Sequence, residues 1–413
     1  MNLHKNIIVI LSHGQPSANP RLVKEAISLY KKGYTIKVLY CPISQWADEY
    51  DIILFKKYPK IKWIRVGYHQ GQQQSLFLYA RLRQKIYQFV YKYFGNIYNA
   101  AIRSSALFSQ ELTKKAIRYE ADLYIGHNLG ALPAIIKAAR FYESKAAFDF
   151  EDFHRGEDLE GTAHWNKVQQ VEDKYIPFLT YATTASNLIS HQYKELYPFL
   201  DISTINNCFS VAYVPENLTQ IQGTGLRLFW FSQTIGINRG LESIITALGS
   251  LKEYNIELLL LGTLSATTKN YFLKLVSTAG LKDSSIRFHP SVAESEIVSL
   301  AANCHIGLAC EIPYIPNRDI CLTNKIFMYL LAGNAILFSR TAAQSDFWQQ
   351  HPDIGVVYEQ GNSDQIAQLI KNYINNPSVL NSHRTASLQL GKEIMNWETE
   401  QKQLFKLLEY HLQ

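Results

Sequence analysis

Long apolar runs are missing from this sequence of 413 residues. The longest, residues 7–11 and 258–261, are far shorter than the roughly 20 residues that a membrane-spanning helix needs. No small-residue cleavage site follows the first run, so we expect no signal peptide. The composition, with 47% hydrophobic and 18% charged residues, predicts a folded globular protein.

Cysteine and unbalanced charge are also scarce. The five cysteines form no C-x-x-C pair, and an odd number argues against a disulfide framework, so we expect a reduced, cytoplasmic setting. Lys and Arg number 41 and Asp and Glu number 35, which leaves a formal charge of +6. A surplus this small permits anionic partners but does not indicate a nucleic-acid-binding protein.

Motifs of several common enzyme classes are absent. No predicted strand is followed by G-x-G-x-x-G, and no G-x-x-x-x-G-K-[ST] occurs, which disfavours Rossmann dehydrogenases and P-loop NTPases. The twelve histidines show no H-x-x-x-H or H-E-x-x-H spacing, which disfavours a zinc site. No G-x-S-x-G marks a hydrolase nucleophile.

Buried strands that alternate with amphipathic helices are the main feature present. Residues 7–11, 21–32 and 35–40 have the pattern of strand, helix and strand, and Gly33 ends the helix. Further strands are predicted at 121–125, 145–150, 227–231, 256–261, 285–288 and 306–309, and further helices at 132–141, 239–251, 269–279, 294–302, 324–331 and 387–412. This alternation predicts an α/β fold of two doubly wound, Rossmann-like domains.

A turn-rich segment between Cys208 and Gly225 predicts the domain boundary. We expect an N-terminal domain over residues 1–212 and a C-terminal domain over residues 213–390. The C-terminal helix, within residues 391–413, is expected to pack back on the N-terminal domain.

Two loops of the second half suit an anionic ligand. Residues 231–240 combine glycines with Arg239, and a second loop leads through Thr323 to Lys325 at the start of a helix. Helix N-termini with neighbouring cations are suited to a diphosphate. The alternative is ordinary helix capping by Asn238 and Thr323, with both cations in solvent.

Ionisable residues also cluster at 149–157, after a buried strand. A Mg²⁺ site, hydrogen bonds to sugar hydroxyls and general-base chemistry all fit this cluster. So does a solvated loop in which Asp152 caps the next segment. His127 and Asn128 follow the neighbouring strand and are expected to meet Glu151 or Asp152, although His127 also fits a purely structural role.

Taken together, these segments resemble the GT-B glycosyltransferases, in particular the retaining glycosyl-group-1 family. That family has a Lys/Arg-Gly loop, a strand ending in Gly and an N-K-x-F-E-Y-x-x-x-G helix, which correspond here to Arg239-Gly240, residues 258–262 and residues 324–333. Residues 17–26 resemble the opening of its first helix, and residues 127–133 resemble its His-Asp/Asn-x-x-x-x-Pro turn. The resemblance covers nearly the whole chain.

The resemblance implies two domains that face a central cleft. It implies a retaining, hexosyltransferase-like, metal-independent enzyme that needs no cofactor. This enzyme would move a sugar from a nucleoside-diphosphate sugar to a glycan or lipid-linked acceptor in surface-polysaccharide synthesis. Together with the two loops and the cluster at 149–157, the resemblance assigns Arg239, Lys325 and Glu311 to catalysis, Gly14, Gln233, Thr234, Gly236, Thr323 and Asn324 to the donor, and His127, Asn128, Glu151, Asp152 and His154 to the acceptor. Arg318 and Asp319 are further candidates for donor contacts.

One departure from the family concerns the nucleotide. Met328 stands where the family has a glutamate that binds the ribose hydroxyls, and a thioether cannot accept those hydrogen bonds in the same way. Either Glu311 or Asn324 replaces it, or the nucleotide is held differently, or catalysis has been lost. A sugar-nucleotide epimerase of the same fold and a non-catalytic nucleotide-sugar-binding homologue therefore remain as alternatives.

Residues 76–118 are basic, aromatic and helical in pattern, with Glu111 as their single acid. Such a segment fits an anionic membrane surface, where it would meet a lipid-linked acceptor at the inner face of the membrane. It also fits two packed helices with a solvated basic face. Nucleic acid is not expected as a partner, because no recognition module accompanies the charge.

Overall fold

The structure is a computed structural model, and it describes residues 6–43, 45–69, 73–214 and 225–412. Contacts divide the chain into two units. The first comprises Met1–Ile205, Ile315–Asn317 and Gln401–Gln413, and the second comprises Asn206–Tyr314 and Arg318–Glu400. Most of the segment in which the sequence places the domain boundary, residues 215–224, lies outside the described residues.

A parallel sheet of seven strands forms the centre of the first unit. Its strands are β1 (Ile7–Ser12), β2 (Thr35–Tyr40), β3 (Lys62–Arg65), β4 (Leu123–His127), β5 (Lys145–Phe150), β6 (Tyr181–Thr184) and β7 (Asp201–Thr204). They lie in the order β3-β2-β1-β4-β5-β6-β7, and every pair is parallel. The central strands are apolar on both faces because helices cover both sides of the sheet.

The helices of this part of the chain follow the predicted alternation. They are α1 (Pro20–Lys32), α2 (Ala47–Lys57), α3 (Gln74–Phe94), α4 (Ala100–Ser105), α5 (Ser109–Ala116), α6 (Leu132–Phe141), α7 (Ala163–Tyr175) and α8 (Asn187–Leu196). The ends of α1 show how the sequence sets these bounds. The Asn19 side chain caps its first turn, and Gly33 ends it with a left-handed φ of 106°.

A parallel sheet of six strands forms the centre of the second unit. Its strands are β8 (Leu226–Thr234), β9 (Ile256–Thr263), β10 (Ile286–His289), β11 (Ile306–Ala309), β12 (Ala335–Ser339) and β13 (Gly355–Tyr358). Their order is β10-β9-β8-β11-β12-β13, which is the strand order of a Rossmann fold. The remaining helices are α9 (Leu241–Gly249), α10 (Ala266–Thr278), α11 (Glu294–Ala302), α12 (Pro316–Ile320), α13 (Asn324–Ala332), α14 (Ala342–Gln350), α15 (Ser363–Asn375), α16 (Pro377–Glu393) and α17 (Trp397–Leu412).

The prediction of two doubly wound α/β domains is confirmed. Two local predictions are wrong. The strand predicted at 121–125 is β4, which begins and ends two residues later. His127 is therefore the last residue of β4, where it pairs with Ser12 and Asp149, and does not lie in the following turn. The single helix predicted at 387–412 is divided into α16 and α17, because the Asn396 side chain accepts a hydrogen bond from the Thr399 N–H and so starts a new helix.

The strand order reverses between β1 and β4 in the first unit and between β8 and β11 in the second. Doubly wound sheets bind ligands beyond the carboxyl ends of the strands at such a reversal. Across the described residues, no helix combines the length and the apolar character required to cross a membrane.

Candidate functional site

In the second unit, helix α13 packs against strand β11 through an aromatic side chain. The ring of Tyr329 covers Gly307 so closely that a Cβ atom there would lie 2.3 Å from the ring, and the Tyr329 hydroxyl donates to the Leu308 carbonyl over 3.0 Å. Lys325 lies one turn earlier on the same helix, so this close packing brings it to the carboxyl end of β11.

Lys325 and Glu311 form a buried ion pair at that edge. Lys325 Nζ lies 2.7 Å from Glu311 Oε1 and 3.4 Å from Thr323 Oγ1. Arg318 Nη1 lies 3.4 Å from Glu311 Oε2. The ammonium group also lies 5.4 Å from the centre of the Trp230 ring, which favours its positive charge.

The charges around Glu311 are unbalanced toward the positive. Burial disfavours its carboxylate, but Lys325, Arg318 and Arg239 outweigh burial and lower the pKa of Glu311. Two cations therefore contact this carboxylate, and the charge of a third acts on it. Such a surplus in a partly buried place is suited to an anionic ligand.

Two helix N-termini at the same sheet edge have no side-chain cap. Gly240 precedes α9 with a left-handed φ of 80°, and a Cβ atom there would lie 3.0 Å from Cys310 Cβ, so the loop needs glycine to approach β11. Thr323 precedes α13, but its hydroxyl faces Lys325 instead of the helix N–H groups. Neither Asn238 nor Thr323 therefore caps a helix with its side chain, and Lys325 is buried rather than in solvent.

The other residues predicted for the donor lie along this edge. Gln233 and Thr234 are exposed at the end of β8, where a bulge precedes the pairing of Thr234 with Thr263. Gly236 has open space on its Cβ side, and Asn324 is exposed at the first position of α13. Of the further candidates, Arg318 reaches Glu311, whereas the Asp319 carboxylate accepts from the Ala342 N–H at the start of α14.

Met328 is fully buried in α13. A buried thioether contributes to packing and offers only a weak acceptor. Among the residues proposed to replace the family's glutamate, Glu311 is occupied by Lys325 and Arg318, whereas the Asn324 side chain is exposed.

In the first unit, a buried network of charges lies at the carboxyl ends of β4 and β5. Arg21 donates to both oxygens of Asp149, over 2.6 and 2.7 Å. His127 Nε2 lies 2.7 Å from Glu25 Oε2, and its Nδ1 lies 3.3 Å from Asp149 Oδ2. Burial disfavours the imidazolium, but Asp149 and Glu25 outweigh burial and raise the pKa of His127 to about 10. His127 is therefore a buried cation with a carboxylate at each ring nitrogen.

Glu151 lies above this network and is only half-buried. Its Oε2 accepts from Asn19 Nδ2 over 3.1 Å and from Asn128 Nδ2 over 3.5 Å. Burial, followed by the neighbouring charge of Asp149, raises the pKa of Glu151 to about 7. Sequence reasoning expected His127, Asn128 and Glu151 to meet, and the structure brings all three together.

Asp152, His154 and Gly14 lie around the same edge. Asp152 Oδ1 accepts from Asn317 Nδ2 over 2.9 Å, so this carboxylate does not cap a helix. His154 is buried, with Nδ1 2.7 Å from Glu157 Oε1, while its Nε2 has no hydrogen-bond partner among the described residues. The Gly14 N–H donates to Ser12 Oγ over 3.0 Å, just after β1.

His127, Asp149 and Glu151 offer ligand atoms within 4.8 Å of one another, as a metal site would. However, the guanidinium of Arg21 already binds both oxygens of Asp149, and His127 is itself a cation. These positive groups compensate the carboxylates and would repel a metal ion. The arrangement is better suited to hydrogen bonds with polar, uncharged groups.

The sequence did not identify Asn19, Arg21 and Glu25 as parts of this site. Arg21 and Glu25 are buried on the face of α1 that carries Leu22 and Ala26 toward the sheet. Charged residues at apolar positions of an amphipathic helix are the signal that would have found them.

No protein-family model matches the sequence, and a search of curated proteins finds no match. The structure is nevertheless similar to several solved structures along its whole length. Anabaena HepE in complex with UDP and glucose is 14% identical, with a TM-score of 0.70 over 98% of this chain and 100% of the HepE chain. Sucrose-phosphate synthase from Thermosynechococcus elongatus is 11% identical, with a TM-score of 0.71 over 98% of each chain. WaaG, a glycosyltransferase involved in lipopolysaccharide biosynthesis, is 11% identical, with a TM-score of 0.63 over 96% of this chain and 98% of WaaG. The chain therefore has the GT-B glycosyltransferase fold that its sequence motifs indicated.

Proposed function

We propose that this protein is a glycosyltransferase that moves a sugar from a nucleoside-diphosphate sugar to a glycan or lipid-linked acceptor. The observation that carries the proposal is the cluster of Arg239, Arg318 and Lys325 around Glu311. This cluster lies where the strand order of the second sheet reverses and where α9 and α13 begin without side-chain caps. Bound UDP and glucose in the similar structure of HepE support a UDP-sugar as the donor.

In the proposed reaction, the bond between the anomeric carbon and the diphosphate oxygen breaks. Arg239 and Lys325 stabilise the negative charge that develops on the departing diphosphate, so no metal ion is required. The acceptor hydroxyl forms the new bond on the same face of the sugar, and its proton passes to the departing phosphate, which retains the anomeric configuration. Glu311 contacts the donor sugar, and its two cationic neighbours hold it ionised for that contact.

Nucleotide contacts are assigned to the exposed polar residues at the same edge. We assign the diphosphate and sugar to Gln233, Thr234, Gly236 and Thr323. Because Met328 is fully buried and Glu311 is assigned to the donor sugar, the ribose hydroxyls fall to the exposed Asn324.

Acceptor contacts are assigned to the first unit. Asn128, Glu151 and Asp152 present amide and carboxylate groups at the sheet edge, and the buried His154 beside them has a ring nitrogen without a hydrogen-bond partner among the described residues. His127 is fully buried between two carboxylates, so it acts on the acceptor through the electrostatics of Glu151. The similarity to WaaG supports surface-polysaccharide synthesis as the pathway.

Helix α3 fits an anionic membrane surface, where a lipid-linked acceptor would be found. Of the helix's side chains, only Ala80 is buried. One stripe along it is apolar, and each of its members is more than half exposed: Leu78, Leu82, Ile86, Phe89 and Tyr93. Lys and Arg residues flank the stripe, so the helix combines apolar insertion with attraction to anionic lipids. We assign the protein on this basis to a membrane surface, and to its cytoplasmic face in keeping with the reduced setting expected from its cysteines.

A panel of UDP-, GDP- and ADP-sugars, each incubated with and without membrane extract, tests the proposed function. We expect nucleotide release from one donor that depends on the extract. A changed sugar without transfer would indicate the epimerase. Binding without either reaction would indicate the non-catalytic homologue, for which the buried Met328 is the main support.

Arg239→Ala tests the phosphate role in the same assay. Loss of this charge is expected to reduce donor turnover about 100-fold, the usual effect of removing one group that stabilises a developing negative charge. Arg287→Ala is the matched control, because Arg287 is an exposed arginine of the second unit that pairs with Glu257. Equal turnover in the two variants would remove the proposed role of Arg239.

The membrane assignment is tested by sedimentation with phosphatidylcholine vesicles that contain or lack phosphatidylglycerol. We expect binding only to the anionic vesicles and its loss in a Leu82→Glu, Phe89→Glu variant. Ile394→Glu, at another exposed apolar residue, is the control that should still bind. Unchanged binding by the α3 variant would exclude this helix as the membrane contact.

A further inference from the structure

The side chain of Asn19 makes two hydrogen bonds with opposite ends of its amide. Its Oδ1 accepts from the Leu22 N–H over 3.0 Å and so caps α1, while its Nδ2 donates to Glu151 Oε2 over 3.1 Å. The cap settles the orientation of the amide, because only the oxygen can accept from a backbone N–H. The NH₂ group is therefore directed at Glu151 by the start of the helix.

Asn128 approaches the same oxygen in a comparable way. Its Oδ1 accepts from Ser12 Oγ over 3.0 Å, which leaves its Nδ2 3.5 Å from Glu151 Oε2. Two amides, each oriented by a second hydrogen bond, thus converge on one oxygen of the carboxylate. Glu151 Oε1 has no hydrogen-bond partner among the described residues.

We propose that Asn19 is a positioning residue for the acceptor. It couples the cap of α1 to Glu151 and, together with Asn128, holds this carboxylate by Oε2 so that Oε1 accepts a hydrogen bond from an acceptor hydroxyl. This inference rests on the proposed function, since it gives Glu151 its ligand. It also specifies the acceptor's chemistry, because the contact requires a hydrogen-bond donor.

The groups that face Glu151 determine how the contact responds to pH. Asp149 and Asp152 oppose its ionisation, and His127 and Arg21 favour it, with burial and Asp149 dominant, so the pKa of Glu151 lies at about 7. Because this pKa is above the value of 4.5 for a free glutamate, the folded state loses stability as pH rises from about 4.5 through about 7. Removing the Asn19 N–H donors removes support for the ionised form, so the loss extends to higher pH.

Serine separates the two roles of Asn19, because it caps helices as well as asparagine does but cannot reach Glu151. We expect Asn19→Ser to match the wild type in melting temperature at pH 5 and to fall increasingly below it between pH 6 and pH 8. Glu151→Gln should flatten the decline of the wild type over this range. Asn362→Ser, which changes an equivalent cap on α15, is the matched control and should follow the wild-type profile at every pH.

The second readout is transfer from the UDP-sugar with membrane extract as the source of acceptor. Asn19→Ser should raise the half-saturating amount of extract at least about tenfold, the cost of a lost hydrogen bond to a charged group, with a much smaller change in kcat. Asn19→Asp should raise the half-saturating amount of extract further, because a second carboxylate would lie against Glu151.

An Asn19→Ser melting profile that superimposes on the wild-type profile would overturn the proposal, as would unchanged half-saturation. If no donor is turned over by the wild type, the proposed function and the acceptor role fail together. The melting profiles then still decide whether Asn19 governs the ionisation of Glu151.

Discussion

In the first unit, the two cations beside the strand-order reversal, Arg21 and His127, lie against the carboxylates of Asp149 and Glu25. In the second unit, Lys325 and Arg318 lie against the carboxylate of Glu311, and the charge of Arg239 also acts on it. The two sheets have the same order over their first strands, so the difference comes from the side chains placed at equivalent edges.

Under the proposed function, this difference assigns a different ligand to each unit. Buried charges that are already paired fix geometry but attract no further ion. A surplus of cations near uncapped helix N-termini does attract one. We therefore assign the anionic diphosphate to the second unit and an uncharged, hydroxyl-bearing acceptor to the first.

The largest effect is expected from disrupting the balance of buried charges in the first unit. Asp149→Asn leaves Arg21 and His127 as buried cations with reduced compensation, which should destabilise the fold by about 3–5 kcal/mol. Urea denaturation followed by far-UV circular dichroism measures this change. Glu160→Gln, at an exposed carboxylate of the same unit, should change stability by less than about 0.5 kcal/mol. A loss below about 1 kcal/mol for Asp149→Asn would mean that the network is not balanced as described.

A smaller effect is expected from reducing the surplus of positive charge in the second unit. Lys325→Gln removes a cation beside Glu311 and should weaken UDP binding about tenfold, the usual contribution of one charge-assisted hydrogen bond. Isothermal titration calorimetry with UDP measures this, and Lys269→Gln, at an exposed lysine of α10, is the control. An affinity equal to that of the control would place the anion elsewhere.

The smallest effect tests the geometry that brings α9 to β11. Gly240→Ala adds a Cβ atom 3.0 Å from Cys310 Cβ at a left-handed φ, whereas Gly280→Ala has the same kind of φ and open space. Both should lose about 1 kcal/mol to backbone strain, and only Gly240→Ala should also lose UDP affinity. Thermal melting and UDP titration of the pair measure the two effects. Equal UDP affinity would show that the approach of this loop to β11 does not shape the donor site.

Much of the fold was accessible from the sequence because buried parallel strands are continuous apolar runs. Residues 145–150, 294–302 and 306–309 coincide with β5, α11 and β11. Predictions failed where a hydrogen bond rather than an apolar pattern sets the bounds, as at β4, whose last residue His127 pairs with neighbours distant in sequence. The break between α16 and α17 has the same origin, since one asparagine side chain starts the last helix.

The candidate site was accessible from motifs to a similar extent. The Arg239-Gly240 loop and the start of α13 were identified because the chemistry lies within a few consecutive residues. The partners of Glu151 and His127 were not, because Asn19 and Glu25 are more than 100 positions away and only the fold brings them together. Such contacts depend on strand order, which a single sequence does not specify residue by residue.

Calorimetric titration of UDP into the wild type, Arg239→Ala and Glu151→Gln tests the division between the two units most directly. We predict that Arg239→Ala weakens UDP binding at least about tenfold, while Glu151→Gln binds UDP as the wild type does. Wild-type affinity in Arg239→Ala, or an equal loss in both variants, would contradict the assignment of the diphosphate to the second unit.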